Sequence, residues 1–251
     1  MMNPFSLENK TIFVTGATSG IGKAIAIECS KMAANLVVTG RSQDKLLDTF
    51  NHLVNNDTTN HLHLLADLSD DKDLIKLINE LPELDGVVLN AGIVKDILTK
   101  LSDKTDVLNV FSINTFAPIY LVQLLLQQRK IKKNGSIVFI SSISGTSCGY
   151  IGGSIYGSSK AALLGFIKAL ALEVAPRNIR VNSISPGMIE TNLLKSTSLS
   201  ADQIKNDRES YPLKRYGSPE DVAYAAVYLL SNASSWMTGS NLLLDGGFTL
   251  K

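Results

Sequence analysis

The sequence predicts a doubly wound α/β fold, in which about seven parallel strands form one sheet with helices on both faces. Short runs rich in β-branched residues alternate along the chain with longer helical patterns, as connections between parallel strands require. The first run, at 11–15, leads straight into a glycine-rich turn at Gly16 to Gly22 and then into a helix. That local order lets a phosphate approach the backbone at a helix N-terminus and is typical of a dinucleotide site.

The composition is that of one globular domain, which we place at residues 1–251. The chain is 45% hydrophobic, enough for a sizeable core, and its net charge of +1 indicates no nucleic-acid partner. The two cysteines form no CxxC pair, which fits a reducing compartment. We find neither a signal peptide nor a membrane-length apolar run and expect a cytoplasmic protein. His61 and His63 share a strand face without further ligands, so we expect strand packing or a surface position for them and no metal site.

The other elements follow in order along the chain. Strands are predicted at 36–39, 61–66, 84–89, 136–141, 179–185 and 241–244. Helical patterns lie at 44–53, 73–81, 104–130 and 154–174, and a last helix begins at Ser218-Pro219-Glu220-Asp221. The stretch at about 188–216 is irregular with scattered apolar residues, which predicts a lid over a substrate or, alternatively, an ordinary surface excursion.

The end of the second strand indicates which dinucleotide binds. An acidic residue often stands there to bond the ribose 2′-hydroxyl of NAD, but here Gly40 is followed by Arg41 and Ser42. A carboxylate would repel a 2′-phosphate, whereas an arginine pairs with it. The sequence therefore favours NADP(H) over NAD(H), the alternative being that Arg41 only caps a surface turn.

Two further strand ends carry residues suited to a flat cofactor. Asp67 follows the third strand, where its side chain can meet an adenine ring or act as a helix N-cap, a role that Ser69 or Asp70 can also fill. Asn90, Ala91 and Gly92 follow the fourth strand. Their small size leaves room for a cofactor, or they simply make a turn.

The candidate catalytic groups lie on the helix at 154–174 and just before it. Tyr156 and Lys160 are four residues apart and share one helix face, and an ammonium beside a tyrosine lowers the phenol pKa toward neutrality. Ser142 lies at the end of the fifth strand, so its hydroxyl is directed toward the same cleft. On spacing alone the pair is often a solvated helix face, and Asn114 is best explained as a hydrogen-bonded core amide. Pro118 suggests a kink that frees backbone carbonyls beside Asn114.

Taken in order, the motifs resemble those of the short-chain dehydrogenase/reductase family. The resemblance rests on TGATSGIG at 15–22, NAG at 90–92, Asn114, Ser142, Tyr156-x-x-x-Lys160, PGMIET at 186–191 and the DGG near the C-terminus. It covers essentially the whole chain and implies a Rossmann-type fold. Within the family the chain is most similar to the bacterial 3-oxoacyl-[acyl-carrier-protein] reductases.

The resemblance implies roles for individual residues. Tyr156 would protonate a carbonyl oxygen, Lys160 would lower the tyrosine pKa and bond the nicotinamide ribose, and Ser142 would hold the substrate oxygen. Asn114 would anchor a water that links Lys160 to solvent, which overturns the core-amide interpretation. Asp67 would contact adenine through its side chain and Leu68 through its backbone. The matching cofactor positions are Gly16, Ser19, Gly20, Ile21, Gly22, Arg41, Ser42, Asp67, Leu68, Asn90, Ala91, Gly92, Tyr156, Lys160, Pro186, Gly187, Ile189 and Thr191.

Three departures from the family pattern bear on these roles. The segment from Ser142 to Tyr156 is one residue longer than usual, so Ser144 competes for the serine role, with Ser141 a weaker candidate. Leu89 replaces the first asparagine of the usual NNAG. Ser19 stands where many NADP-dependent reductases have arginine, which leaves Arg41 nearly alone to bind a 2′-phosphate.

The expected activity is reduction of a 3-oxoacyl thioester with NADPH. The alternatives are an alcohol, sugar or steroid dehydrogenase of the same family and a regulator that senses NADP without chemistry. The resemblance also implies a homotetramer, or a homodimer. A basic cluster receives an acidic acyl carrier protein, or else it is a set of solvated helix ends; its members are Arg129, Lys130, Lys132, Lys133 and Arg177.

Overall fold

One parallel sheet runs through the computed structural model, which describes residues 3–56, 58–191 and 201–250. Within these residues the sheet has seven strands in the order β3-β2-β1-β4-β5-β6-β7, and every neighbouring pair is parallel. The strands are β1 (Thr11–Val14), β2 (Asn35–Gly40), β3 (Leu62–Leu65), β4 (Leu84–Leu89), β5 (Ile131–Ile140), β6 (Arg180–Pro186) and β7 (Asn241–Leu244). The predicted doubly wound fold is confirmed.

Helices cover both faces of the sheet. In the described part of the chain they are α1 (Gly20–Lys31), α2 (Gln43–Asn51), α3 (Asp71–Glu80), α4 (Lys104–Phe111), α5 (Ala117–Gln127), α6 (Ser154–Val174), α7 (Ala201–Ser210) and α8 (Pro219–Leu230). Ser218 caps α8 as expected, since its hydroxyl accepts a hydrogen bond from the amide of Asp221. The same Asp221 carboxylate accepts from the Ser218 amide, so two unpaired donors are satisfied together.

Alternating side chains of the strands build two cores. On one face α1 and α8 cover the strand residues Ile12, Val14, Leu36, Val38, Val88, Val138, Ile140 and Ile184. On the other face α3, α5 and α6 cover Phe13, Val37, Val87, Leu89, Ile137, Phe139 and Val181. Because both faces of a parallel sheet are buried, the strands read as continuous apolar runs in the sequence.

The predicted helix at 104–130 is two helices joined by a π-helical turn at Ser112–Phe116. Pro118 lacks the N–H that would otherwise close an α-helical bond to the carbonyl of Asn114. The turn contains Asn114, so the irregular backbone lies directly under a predicted site residue.

The stretch at 188–216 is less irregular than predicted. Residues 201–210 form the helix α7, which the sequence analysis missed because its face carries few apolar residues. Part of the predicted lid, at 192–200, lies outside the described residues.

The two strand histidines make packing contacts, as predicted. His61 is buried, and its Nδ1 accepts a hydrogen bond of 3.1 Å from the amide of Leu36. The His63 ring packs edge-on against Phe50 at a centroid distance of 4.8 Å.

Two helical stretches, Lys104–Gln127 and Ser154–Arg177, are long and apolar enough to cross a bilayer by length and composition. The sequence analysis found no such run. The second stretch buries Leu163, Ile167 and Leu170 against the sheet, and the first buries Leu121 and Leu125 there. Packing against a sheet accounts for this composition, since a core helix of a folded domain carries the same apolar residues.

We predict that Phe139→Ala lowers the free energy of unfolding by about 3–5 kcal/mol, because it leaves a cavity at the centre of the sheet. The Phe139 ring is fully buried and meets the Phe166 ring at 6.1 Å. Urea unfolding followed by circular dichroism measures the change. Ile151→Ala is the control, because Ile151 is 89% exposed and its loss removes little buried area. Equal midpoints for the two variants would contradict this account of the core.

Candidate active site

The predicted site residues lie along one edge of the sheet. The glycine turn follows β1, Arg41 and Ser42 follow β2, Asp67 and Leu68 follow β3, and Asn90 to Gly92 follow β4. Ser142 follows β5, and the segment from Pro186 to Thr191 follows the end of β6. In a parallel sheet all these carboxyl ends open on the same side, which is where open α/β sheets bind ligands.

Two glycines of the turn after β1 have no room for a side chain. Gly16 has φ of +64°, and a Cβ there would lie 2.8 Å from the Cα of Ala91. A Cβ on Gly22 would lie 2.3 Å from the carbonyl oxygen of Gly16. The hydroxyl of Ser19, the N-cap residue of α1, makes no cap hydrogen bond, so this first turn offers backbone donors to an anion. Thr191 lies over the same turn, 3.2 Å from the position of a Cβ on Gly20.

The end of β2 has no room for an acidic side chain. A Cβ on Gly40 would lie 2.3 Å from the Cγ2 methyl of Thr18. Arg41 is 62% exposed and lies beside Asp67, with 3.7 Å between Nη1 and Oδ2. Burial acts to raise the pKa of Asp67, but hydrogen bonds from Ser69 and the charge of Arg41 together keep that pKa below its ordinary value. A cation and an anion therefore meet where the adenosine end of a dinucleotide would lie.

Asn90 joins the β4 end to the glycine turn. Its Nδ2 donates to the carbonyl oxygens of Thr15 and Gly16, both at 3.1 Å. The Thr15 hydroxyl accepts in return from the amides of Asn90 and Ala91, at 3.0 and 3.1 Å. Thr15 is a functional position that the sequence analysis counted only as the start of a motif. Leu89, which stands where the family has the first asparagine of NNAG, is buried in the core. Its side chain therefore makes no contact at the site.

Ser142 and Tyr156 form the candidate proton-transfer pair. Ser142 is 8% exposed, and its hydroxyl lies close enough to the Tyr156 phenol to act toward lowering the phenol pKa. The amide of Ser144 donates to Ser142 Oγ at 3.1 Å, which fixes that oxygen. Ser141 is excluded, since its buried hydroxyl donates to the carbonyl of Lys160 at 3.1 Å. Ser144 supplies a backbone donor to the pair, so the geometry favours Ser142 for the serine role.

The expected lowering of the Tyr156 pKa is wrong for this structure. Burial raises the pKa of Tyr156 above its ordinary value, and the Asp96 carboxylate adds to that rise, while the Ser142 hydroxyl opposes it. The Lys160 ammonium is directed elsewhere, donating to the carbonyl of Ile140 at 2.9 Å. At neutral pH Tyr156 is therefore protonated and able to act as an acid.

Lys160 and Asn114 meet beside Gly92. A Cβ on Gly92 would lie 3.1 Å from Asn114 Oδ1 and 3.2 Å from Lys160 Nζ. Burial lowers the pKa of Lys160 to about 8. The Asn114 amide makes three hydrogen bonds: Nδ2 donates to the Ile93 carbonyl at 2.9 Å and to Ser159 Oγ at 3.0 Å, and Oδ1 accepts from the Ile93 amide at 2.8 Å. Asn114 is thus also the satisfied core amide of the first interpretation, and it ties the β4 loop to α6. The sequence analysis missed Ser159, which has no motif of its own.

The segment after β6 is anchored at both described ends of the predicted lid. The Gly217 amide donates to the Met188 carbonyl at 3.0 Å, and the Glu190 amide donates to the Gly217 carbonyl at 2.8 Å. Arg208 on α7 pairs with Glu190 at 2.9 Å. These contacts hold α7 above the edge of the sheet that carries the site.

The basic cluster lies far from this edge. Lys132 is near the amino end of β5 and Ser142 follows its carboxyl end, and the two are about 20 Å apart when the bulge between Ile131 and Ser136 is allowed for at 3.3 Å per strand residue. Its cations also have local partners, since Lys132 pairs with Asp85 and Arg177 donates to the Ile131 carbonyl. The interpretation of the cluster as a carrier-protein site is not supported by this placement.

The fold and these side chains define a class: an α/β protein with a serine, a tyrosine and a lysine at the carboxyl edge of a parallel sheet. A family model described as Enoyl-(Acyl carrier protein) reductase matches residues 16–249. The chain belongs to the short-chain dehydrogenase/reductase family and is an oxidoreductase.

Relatives in sequence are similar over nearly the full length. The protein named 3-oxoacyl-[acyl-carrier-protein] reductase FabG from Rickettsia prowazekii (strain Madrid E) is 36% identical over 244 residues, covering 97% of this chain and 98% of its own. The protein of the same name from Aquifex aeolicus (strain VF5) is 34% identical over 246 residues, covering 96% and 98%.

Solved structures agree. A short-chain type dehydrogenase/reductase from Mycobacterium marinum matches with a TM-score of 0.88 and 30% identity, covering 99% of this chain and 98% of that chain. A short chain dehydrogenase/reductase family protein matches with a TM-score of 0.84 and 31% identity, covering 97% and 99%.

We predict that the free energy of unfolding of wild type rises relative to that of Lys160→Met as the pH is raised from 7 to 10. Between pH 8 and the ordinary lysine value of 10.5 the unfolded chain binds a proton that the folded chain has lost, so the free energy of unfolding rises with pH. Below pH 8 both states are charged, and the full cost of the buried ammonium is present. Urea unfolding at pH 7 and pH 10 should shift the difference between the two proteins by roughly 2 kcal/mol toward wild type. Parallel changes in both proteins would contradict the lowered pKa.

Proposed function

We propose that this protein reduces the ketone of a 3-oxoacyl thioester to an alcohol, with NADPH as the preferred cofactor. The observation that carries the proposal is the placement of the Ser142 hydroxyl beside a protonated Tyr156, with the buried Lys160 one turn further along α6. The names of the sequence relatives support the substrate class, and each names the carrier-protein thioester.

The residues along the sheet edge fit a dinucleotide. At Gly16, Gly22 and Gly40 a Cβ would clash with neighbouring protein atoms, so only glycine allows the close backbone packing that a dinucleotide-binding turn requires. A bound nicotinamide cofactor would supply the hydride that reduces the carbonyl carbon. The residues that would hold it are the cofactor positions of the sequence analysis, with Thr15 and Thr18 shaping the turns beneath.

The chain's own groups handle the proton. Tyr156 donates its phenolic proton to the carbonyl oxygen, and Ser142 holds that oxygen within reach. Lys160 is placed to donate to a ribose hydroxyl from the Gly92 side of the cleft. An amide oxygen accepts two hydrogen bonds, so Asn114 Oδ1 has one free position for a water that reaches Lys160.

Arg41 is the group that would distinguish the two dinucleotides. Its pairing with Asp67 is solvent-exposed, so the interaction is worth about 0–1 kcal/mol and yields readily to a phosphate dianion. Ser42, the N-cap residue of α2, makes no side-chain cap hydrogen bond and offers a second donor nearby. Together they favour NADPH.

The proposal also covers the location, substrate delivery and assembly of the protein. We place the protein in the cytoplasm as a single domain, with an acyl carrier protein delivering the thioester and with a homotetramer or homodimer as the assembly. Exposed apolar side chains on α4, the π-helical turn and α6 support association; they include Leu108, Phe116 and Leu172. The intact serine, tyrosine and lysine set argues against a non-catalytic regulator.

We predict that Tyr156→Phe lowers kcat for NADPH-dependent reduction of acetoacetyl-CoA by about 10²–10⁴-fold, because it removes the acid. NADPH binding, measured by the change in its fluorescence, should stay within about threefold of wild type, since the phenyl ring still fills the site. Unchanged turnover would remove Tyr156 from the mechanism.

Crotonyl-CoA serves as the matched substrate control, because its reducible group is a C=C bond and needs no proton donor at a ketone oxygen. We expect no turnover of crotonyl-CoA by wild type. Turnover of alcohols, sugars or steroids without turnover of acetoacetyl-CoA would replace the substrate class while leaving the oxidoreductase assignment in place.

We predict that Arg41→Ala raises the KM for NADPH by about 10–100-fold and leaves the KM for NADH within about twofold, because only the phosphorylated cofactor loses an ion pair. Steady-state kinetics with both cofactors measure the ratio. Lys168→Ala, which removes an exposed cation from α6, is the control for a general loss of charge. A wild type that prefers NADH would contradict the role of Arg41.

A further inference from the structure

Two loops meet over the mouth of the candidate site. The loop between β4 and α4 spans 90–103, and the loop between β5 and α6 spans 141–153. The Tyr150 phenol of the second loop donates to Asp96 Oδ1 of the first at 2.6 Å. The amide of Ile97 donates to the carbonyl of Gly152 at 3.0 Å, beside that side-chain bond. The segment that carries Ser142 is therefore attached to the segment that carries Gly92.

The backbone under Tyr150 is shaped for its ring. A Cβ on Gly153 would lie 2.4 Å from the ring, so the ring lies flat on a residue that has no side chain. Gly152 has φ of +89°, a conformation that strains other residues, and a Cβ there would lie 3.4 Å from the Ile97 amide. These two glycines make the Tyr150 contact with Asp96 possible in a loop that is one residue longer than the family pattern.

We propose that Asp96 and Tyr150 are positioning residues for the reductase reaction: their hydrogen bond joins the two loops and fixes Ser142 and Tyr156 relative to the β4 end. Neither side chain has a motif or a role assigned above. The proposal rests on the proposed roles of Ser142 and Tyr156. It explains how Ser142 Oγ lies beside the phenol of Tyr156 although the loop between them is lengthened. Tyr156 lies in the first turn of α6, just after the loop ends.

The Asp96 carboxylate has a second effect, on proton transfer. The titratable groups around Tyr156 in the described chain are Asp96 and Tyr150 from the two loops and Lys160 one turn further along α6. The negative charge of Asp96 favours the neutral phenol and so raises the pKa of Tyr156, as burial does more strongly. Reduction needs the neutral phenol, so its rate falls as the pH rises through that pKa. Removing the charge moves this fall to lower pH.

Three variants separate the hydrogen bond from the charge. Tyr150→Phe removes the bond and keeps the charge, Asp96→Asn keeps an acceptor for the bond and removes the charge, and Asp96→Ala removes both. We expect kcat with acetoacetyl-CoA to fall by roughly 10–100-fold in Tyr150→Phe and Asp96→Ala, with the KM for NADPH within about threefold. Asp96→Asn should recover most of the kcat plateau, while the alkaline limb of its pH profile moves to lower pH. Tyr224→Phe, an exposed tyrosine on α8, is the matched control.

Hydrogen exchange gives a readout that does not depend on activity. Amides of 141–153 should exchange faster in Tyr150→Phe and Asp96→Ala and at wild-type rates in Asp96→Asn and Tyr224→Phe. Wild-type kcat together with wild-type exchange in Tyr150→Phe would overturn the proposal. If wild type turns over no carbonyl, the proposed function fails by itself, and the exchange rates alone then decide whether this bond joins the loops. An Asp96→Asn variant that is as impaired as Asp96→Ala, with no shift of its pH limb, would overturn the positioning role in favour of an effect on folding.

Discussion

The parallel direction of every neighbouring strand pair is the constraint on which the site depends. Parallel strands require a crossover between each pair, and each crossover begins at the same edge of the sheet. Six short segments that are distant in sequence therefore converge at this edge because of the strand directions alone. The two cores on either face then fix the height and tilt of each strand, so the positions of Gly16, Arg41, Asn90 and Ser142 are set by packing far below them.

Above this edge the site is held by buried polar contacts with few alternatives. The Lys160 ammonium reaches the Ile140 carbonyl, Ser141 reaches the Lys160 carbonyl, and Asn114 reaches Ser159. Each bond joins α6 to another element, and each group is buried, so breaking one leaves an unpaired polar atom away from water. The π-helical turn brings Asn114 to this position, and Pro118 explains why a regular helix would be a poor alternative there.

Local sequence predicted the sheet, the glycine turn and the identity of the chemical groups, because strand patterns, glycine spacing and side-chain chemistry are properties of short segments. It failed where distant residues decide. The pKa of Tyr156 moves up rather than down, because burial and the Asp96 carboxylate, sixty residues away in the chain, outweigh what its sequence neighbour Lys160 suggests. The helix α7 was missed because it lacks an apolar stripe. The contact of Thr18 with Gly40 was missed because no sequence pattern marks it and only the folded structure brings the two residues together.

The two titrating groups on α6 are shifted in opposite directions by the same cause. Burial disfavours charge, so it raises the pKa of Tyr156 and lowers that of Lys160 to about 8. As the pH rises, the lysine therefore loses its proton before the tyrosine does. The transferable proton stays on the phenol throughout the neutral range, which is the form that carbonyl reduction consumes. Oxidation of an alcohol needs the phenolate instead, which a positive charge near Tyr156 would favour.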